Sequence, residues 1–485
     1  MKNILTNLFI FLIFPTGLFL LAGNFFYLDR GLVSIDILCL IFLRQIIRNG
    51  FIAVLFIMLF CLDFLTSLAY INFGGMEGFY SSWKFFFSFQ NWLSICIGAL
   101  GIVVAIFLAT VFLLKRSRVT ISTKIGFAFL LAIIVLVDFA SNTTEFSSVQ
   151  SISSNINVAT SASVRNISFF INYLKFKNSP VQPIKKVTTP FRVLGENIRN
   201  GINDKSVKEK PNVVLIIMES FGFNRDASTI KDILSPLQEL KDSFVVDIYK
   251  SRFYGGTEAA ETRELLGLDG ILFDKIISEA QQNIQRSLPQ DFLDIGYKTI
   301  GIHGFSGHNF NRIIWWKEIG FQEEVFATDL HRIGYPLVGT FFRGIFDLDA
   351  LDFLLKMEKD LQIRNESFFI YLLTLNAHLP FSMDLLNKYG IDKNTNEAYS
   401  IPQLMNQVQK KIVIKIVDVI KQSPNTIFVF TGDHKPRMSK KDGALFDKYY
   451  VPSIIACPVK YRFLLENFSQ NNSAYAEFFQ PYQQN

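Results

Sequence analysis

Cysteine, charge and histidine are all scarce in this chain, and each scarcity excludes something. Four cysteines in 485 residues build no disulfide framework, because Cys39, Cys61 and Cys96 sit in apolar runs and only Cys457 lies in polar sequence. Charged residues make up 19% of the chain, and 48 Lys+Arg against 42 Asp+Glu leave a net charge of +6, too mild to indicate a nucleic-acid partner. Half the residues are hydrophobic and 51 are Phe, a composition that fits neither a disordered chain nor a purely cytosolic enzyme.

The few charges are unevenly spread. Residues 1–140 hold only 9 Lys+Arg and 5 Asp+Glu, so the front of the chain is lipid-like and the back reads as a water-soluble domain. All five histidines, His303, His308, His331, His378 and His434, lie in the back, where acid–base or metal chemistry is to be sought.

The front contains five apolar stretches, 4–23, 32–43, 51–73, 93–114 and 125–140, most of them near the roughly 20 residues that cross a bilayer as helix. Basic residues mark cytoplasmic loops. Arg44 and Arg48 fall between stretches two and three, and Lys115, Arg116, Arg118 and Lys124 between four and five. Five spans with the N-terminus inside predict a multi-pass protein of the inner (cytoplasmic) membrane, with everything after Ala140 extracytoplasmic. A cleaved signal peptide is the competing reading of the first stretch, but its length and the four stretches after it favour an anchor.

Residues 1–140 are therefore expected to be a helical membrane anchor, 141–210 a linker and 211–485 an extracytoplasmic catalytic domain. The linker is rich in Ser, Asn and Thr, then in Pro180, Pro183 and Pro190, and ends in a basic run. Its segment 161–176 has the periodicity of an amphipathic helix that could lie on headgroups.

From Pro211 the grammar changes. The run 213–218 (VVLIIM) is continuous and apolar, as expected of a strand buried on both faces of a parallel sheet, and it stops at Glu219-Ser220. The pattern recurs where 297–302 runs into His303, 368–374 into Asn376-Ala377-His378 and 426–431 into Gly432-Asp433-His434. Helical segments at 347–361 and 405–421 separate them. A doubly wound, mostly parallel α/β sheet with a site along its carboxyl edge follows.

Asp433 beside His434 supplies two metal ligands on a rigid strand end. Gly255-Gly256 permits backbone conformations closed to other residues and places Thr257 at the start of a helix, where an anion or ionised oxygen is favoured. Thr257 could equally be an N-cap with Glu261 nearby. The loop Lys435-Pro436-Arg437 reads either as a polyanion grip or as a solvated turn, and His308 and His331 read as structural.

In order and spacing, Glu219-Ser220, Gly256-Thr257, His303 with Arg312 nine positions on, Asn376-Ala377-His378-Leu379-Pro380 and Gly432-Asp433-His434 resemble membrane-anchored lipoteichoic acid synthase-like enzymes of the alkaline phosphatase–sulfatase superfamily, cousins of the phosphoethanolamine transferases. The resemblance implies one divalent metal, manganese or zinc, held by Glu219, Thr257, Asp433 and His434, with Thr257 as nucleophile. It places His378 at the transferred phosphoryl group, and His303 and Arg312 at the phosphate or headgroup. Phe310 departs from the pattern, since the synthases carry tryptophan two positions before the arginine.

The activity so implied is transfer of phosphoglycerol from a phospholipid, phosphatidylglycerol, to a surface glycan or glycolipid through a phospho-threonine. Phosphoethanolamine transfer is the alternative, weakened by the single soluble cysteine where that branch carries several disulfides. A sulfatase-type hydrolase or phosphodiesterase is the third reading, and the Cys/Ser-x-Pro-x-Arg pentad that sulfatases require is absent from the chain.

Overall fold

The computed structural model describes residues 2–26, 33–44, 46–73, 92–116, 118–141, 159–160, 185–253, 255–269, 287–338, 343–379, 381–391, 400–436, 438 and 440–465. They divide into two units, Met1–Gln182 with Met438–Lys441, and Pro183–Arg437 with Asp442–Asn485.

The apolar runs of the second unit fold as the strands their sequence requires. In chain order these are β1 (Asn212–Met218), β2 (Phe244–Arg252), β3 (Lys298–His303), β4 (Glu323–Phe326), β5 (Phe368–Leu373), β6 (Thr426–Gly432) and β7 (Tyr450–Pro458). They form one sheet in the order β2-β7-β6-β1-β5-β3-β4. The run from β6 to β4 is parallel throughout, and β7 and β2 close the other edge antiparallel. Helical crossovers explain why neighbours in the sheet are distant in sequence.

Every side chain from Val213 to Ile217 is completely buried, as two covered faces demand. Val213, Leu215 and Ile217 join a core with Phe191, Leu194, Phe292 and Trp316, while Val214 and Ile216 point to the opposite face. Helices Asp347–Ile363 and Ile401–Lys421 pack on one another and extend the stretches expected at 347–361 and 405–421.

Part of the expected linker belongs to this unit. Residues Pro190–Asn203 form a helix whose N-cap, Thr189, accepts from the Arg192 amide at 3.3 Å and whose Phe191, Leu194 and Ile198 enter the core. Pro190 reads as a breaker in sequence, yet proline at the first helical position has no amide bond to lose. The amphipathic helix expected at 161–176 lies outside the described residues.

The first unit is helical over Lys2–Phe26, with a π-helical turn at Phe9–Ile13, and over Ile35–Leu43, Asn49–Phe73, Trp92–Arg116 and Ile121–Ser141. Among the described residues, Ile4–Leu21 and Cys96–Arg116 are long and apolar enough to cross a membrane, and the apolar stretches Asn49–Leu65 and Ile121–Ile134 are shorter. The nine residues of Ile35–Leu43 reach only about 14 Å, less than half of a bilayer core.

The five stretches nevertheless alternate in direction. Arg44, just past the end of the second stretch, donates to Asn7 Oδ1 at 2.8 Å near the start of the first and to the Leu114 carbonyl near the end of the fourth. Asn7 donates to the Arg118 carbonyl at 3.0 Å, and Lys124, at the start of the fifth, to the Phe42 carbonyl at 3.0 Å. The basic loops are thus gathered at one end of the bundle, together with the start of the chain.

The tightest constraint in the sheet is the approach of β6 to the turn after β1. A Cβ at Gly432 would lie 2.0 Å from the Phe221 carbonyl oxygen. Gly432→Ala is therefore expected to destabilise the second unit by about 3 kcal/mol or more, because backbone rather than a flexible side chain must move. The denaturation midpoint reported by the buried Trp315 and Trp316 measures this, and an unchanged midpoint would refute it.

Candidate metal centre and nucleophile

Parallel pairing brings the expected ligands together. Met218 of β1 is in register with Gly432 of β6, so the next residues, Glu219 and Asp433, leave neighbouring strands at the same level. The Asp433 amide donates to the Met218 carbonyl at 3.1 Å, carrying the ladder one residue further. On the other side of β1, Leu373 of β5 is level with both Ile217 and His303.

Each ligand is held by its backbone. The Glu219 amide donates to Thr374 Oγ1 at 2.8 Å. Ser220 takes a positive φ of 53°, its amide donating to Asp433 Oδ1 at 2.7 Å and its hydroxyl to Glu219 Oε1 at 2.8 Å. Gln409 reaches from its helix to the Ser220 carbonyl at 2.6 Å, and the His434 amide donates to Asp433 Oδ1 at 2.6 Å. These bonds fix one oxygen of each carboxylate and leave the other facing the site.

Thr257 opens the helix Thr257–Glu261 with Gly256, not itself, as the N-cap. Its hydroxyl lies 2.9 Å from Asp433 Oδ2 and 3.2 Å from Glu219 Oε2. His434 Nδ1 faces the Lys435 carbonyl at 2.8 Å; a carbonyl only accepts, so Nδ1 carries the proton and Nε2 presents a lone pair. Nε2 sits 3.2 Å from Asp433 Oδ2 and 3.7 Å from Glu219 Oε1.

These residues fit a divalent ion. Donors bound tetrahedrally at about 2.05 Å stand about 3.4 Å apart, and the separations between neighbouring donors here run from 2.9 to 3.7 Å. Asp433 is 0% and Glu219 4% exposed, and no lysine or arginine among the described residues pairs with either. Burial pushes the Asp433 carboxyl up to about 6, and burial together with the Asp433 charge raises Glu219. Two buried carboxylates that resist ionisation beside a fixed imidazole lone pair lack one thing, a cation.

The other expected residues divide. His378 is half-buried, with Nδ1 2.6 Å from the Leu379 carbonyl, and lies near enough to Glu219 to favour its charged form. His303 is buried with Nδ1 3.1 Å from the Leu373 carbonyl, and burial, then the Arg312 charge, holds it neutral. Arg312, expected at phosphate, is itself buried and paired with Glu261. His331 is bonded to the Tyr335 carbonyl at 3.0 Å, away from the cluster.

Sequence reasoning passed over several supporting residues. The Asp347 carboxylate accepts from the Leu375 and Asn376 amides, both at 2.8 Å, and Asn376 Oδ1 accepts from the Asp347 amide at 2.7 Å. This reciprocal clasp shapes the turn bearing His378, and burial raises Asp347 to about 7. Arg263, fully buried, donates to the Gly432 carbonyl at 2.9 Å, immediately before Asp433. An arginine flanked by Thr262 and Glu264 in the short segment after Thr257 gave no signal of this role.

A mostly parallel sheet with acid, hydroxyl and imidazole donors at its carboxyl edge defines an α/β domain of the alkaline phosphatase/sulfatase type. Residues 211–477 match the sulfatase family, and the chain belongs to that family of enzymes. It is 25% identical over 245 residues to a putative cyclic beta-1,2-glucan modification protein of Rhizobium meliloti, a match spanning 47% of this chain and 36% of that one. Among solved structures it is similar to the lipoteichoic acid synthase LtaP of Listeria monocytogenes, with 16% identity, TM-score 0.43, and 51% of this chain and 66% of that one covered. It is also similar to the lipooligosaccharide phosphoethanolamine transferase EptA of Neisseria meningitidis, with 14% identity, TM-score 0.44, and coverage of 87% and 80%.

The raised Asp433 pKa has a signed consequence. An unfolded aspartate loses its proton near 3.8, whereas in the metal-free fold Asp433 holds it to about 6. Between these values the folded state binds more protons, so stability contributed by this group is lost as pH rises from about 4 to about 6, by about 3 kcal/mol at most. Metal-free wild type is thus expected to lose more stability between pH 4 and 7 than Asp433→Asn, and added divalent metal to restore it at pH 7. Equal pH dependence of the two denaturation midpoints would contradict this.

Proposed function

We propose that the chain transfers a phosphoglycerol group from phosphatidylglycerol to a cell-surface glycan or glycolipid by way of a phosphorylated Thr257. The observation that carries this reading is the Thr257 hydroxyl, directed at both Asp433 and Glu219 within 3.2 Å. A bound divalent ion, manganese or zinc, would be held by Glu219, Thr257, Asp433 and His434 and would lower the hydroxyl pKa while polarising phosphoryl oxygens.

The residues supply the rest. Thr257 Oγ1 donates to Asp433 Oδ2 in the metal-free chain; with an ion held there, its proton would pass to solvent as the oxygen attacks phosphorus. The new bond is Oγ1–P, the bond broken is that between phosphorus and the diacylglycerol oxygen, and the departing oxygen takes up a proton. On this reading His378, half-buried on the turn shaped by the Asp347–Asn376 clasp, would meet the phosphoryl oxygens, and neutral His303 would contact the headgroup. An acceptor hydroxyl then attacks the same phosphorus, gives up its proton and releases Thr257.

Anchorage fits a lipid donor. The alternating helices of the first unit, with their basic loops at one end, support five passes through the inner (cytoplasmic) membrane, an interior N-terminus and an extracytoplasmic catalytic unit. Phosphoglycerol is favoured over phosphoethanolamine because Cys457, the one cysteine of the catalytic unit, is buried and free.

The test is intact-mass analysis of the full chain in detergent after incubation with manganese or zinc and either phosphatidylglycerol or phosphatidylethanolamine. A phosphoglycerol adduct is expected on wild type, and none on Thr257→Ala or after chelation. An adduct from phosphatidylethanolamine would change the donor. No adduct from either lipid in a chain that binds metal would defeat the transferase reading.

A further inference from the structure

We infer that Glu261 is a positioning residue for Thr257, and that Arg312 acts through Glu261 rather than on the substrate. The inference concerns how the nucleophile is aimed, and it rests on the reading of Thr257 given above.

The helix that carries Thr257 is too short to hold itself. It has five residues, Thr257–Glu261, continued by a π-helical turn at Thr262–Leu266, and isolated helices of this length do not persist in water. Glycines with left-handed backbone, Gly255 and Gly267 (both φ 66°), bound it on either side. Its orientation must therefore come from tertiary bonds, and Glu261, one turn on from Thr257, makes several of them beside the bond from Arg263 to the Gly432 carbonyl.

The Glu261 side chain is 0% exposed. Its Oε2 accepts from Arg312 Nη2 at 2.7 Å and from Nε at 3.0 Å. Its Oε1 accepts from Arg312 Nε at 3.1 Å, Trp316 Nε1 at 3.2 Å and Tyr371 OH at 3.1 Å. Arg312 and Trp316 lie one turn apart on the helix Arg312–Glu318, whereas Tyr371 lies on β5. That strand is hydrogen-bonded to β1, whose end bears Glu219. The helix bearing the nucleophile is thus tied through one carboxylate to the strand beside the metal-bearing strand.

Arg312 has little left for a ligand. Two of its three nitrogens face Glu261, and Nη1 donates to the Asn309 carbonyl at 3.4 Å. The guanidinium also lies 5.1 Å from the centre of the Phe310 ring. Arg312 and Glu261 form a buried ion pair of zero net charge. Replacing either partner alone leaves an uncompensated buried charge.

The experiment is a double-mutant cycle on the full chain in detergent, reading the dissociation constant for Mn2+ by calorimetry. Glu261→Gln should weaken Mn2+ binding about tenfold or more, as second-sphere changes do, and by less than about twofold when Thr257 is already Ala. Equal weakening in both backgrounds, or none in either, would overturn the inference, since a merely structural glutamate gives the first and an irrelevant one the second.

A second arm separates Arg312 from the substrate. In single-turnover adduct formation from phosphatidylglycerol, Arg312→Gln should cut the maximal rate about a hundredfold and leave the half-saturating lipid concentration unchanged. A tenfold rise in half-saturation with Mn2+ affinity intact would put Arg312 on the substrate and overturn the inference. Should the single variants not fold, Glu261→Met with Arg312→Met removes the pair without leaving a lone charge and should keep the fold while losing the same metal affinity; wild-type affinity in that variant would overturn the inference. If wild type takes no group from any lipid, the Mn2+ cycle still decides this inference, and the transferase reading alone falls.

Discussion

Two carboxylates forced together in a dry place govern this structure. Glu219 and Asp433 leave adjacent parallel strands at one level because Met218 and Gly432 are paired, and neither side chain reaches water to any useful extent. Poor solvation pushes both carboxyl groups toward their neutral forms, and the Asp433 charge adds to the effect on Glu219. The surrounding donors do not neutralise them. They orient them, through the amides of Ser220 and His434 and the Ser220 hydroxyl, so that the remaining oxygens converge with Thr257 and His434 Nε2. The close approach of Gly432 to Phe221 follows from the same demand, since the two turns must lie nearly in contact for the carboxylates to meet.

Much of this was legible in the sequence, for a definite reason. Buried parallel strands are continuous apolar runs, and their ends are visible as abrupt polar residues, so Glu219, His303, His378, Asp433 and His434 could be placed at one edge before any coordinates. The glycine pair before Thr257 likewise marked a helix start. What could not be read was pairing at long range. Nothing in the local sequence of Glu261 says that it meets an arginine 51 positions later, so Arg312 was given to the substrate when its guanidinium is buried against an acid. Asp347 was hidden because it looks like any acidic residue at the start of a helix, while its carboxylate reaches across to the amides of Leu375 and Asn376.

The boundary of the catalytic unit shows a similar limit. Composition shifts at Pro211, and the sheet does begin there, but the helix Pro190–Asn203 belongs to the same core. Its proline and polar residues look like linker because only one of its faces is apolar. In the first unit, hydropathy found the helices, yet Ile35–Leu43 is far shorter than a full crossing. The stretch of sequence is apolar for longer than it is helical, with Val33 and Ser34 extended and paired to Ala159 and Thr160.

Arg44 joins parts of the anchor that are made at different times. Asn7 leaves the ribosome 37 residues before it, and Leu114 follows 70 residues after it. When the second stretch has been made, its terminal arginine already has a partner in the first, but the carbonyl it will finally hold does not yet exist. Until the fourth stretch arrives, that guanidinium lacks one of the two acceptors it has in the finished fold. A contact that stabilises the finished bundle therefore cannot close until four of its five helical stretches have been made, so this unit is locked late in its own synthesis.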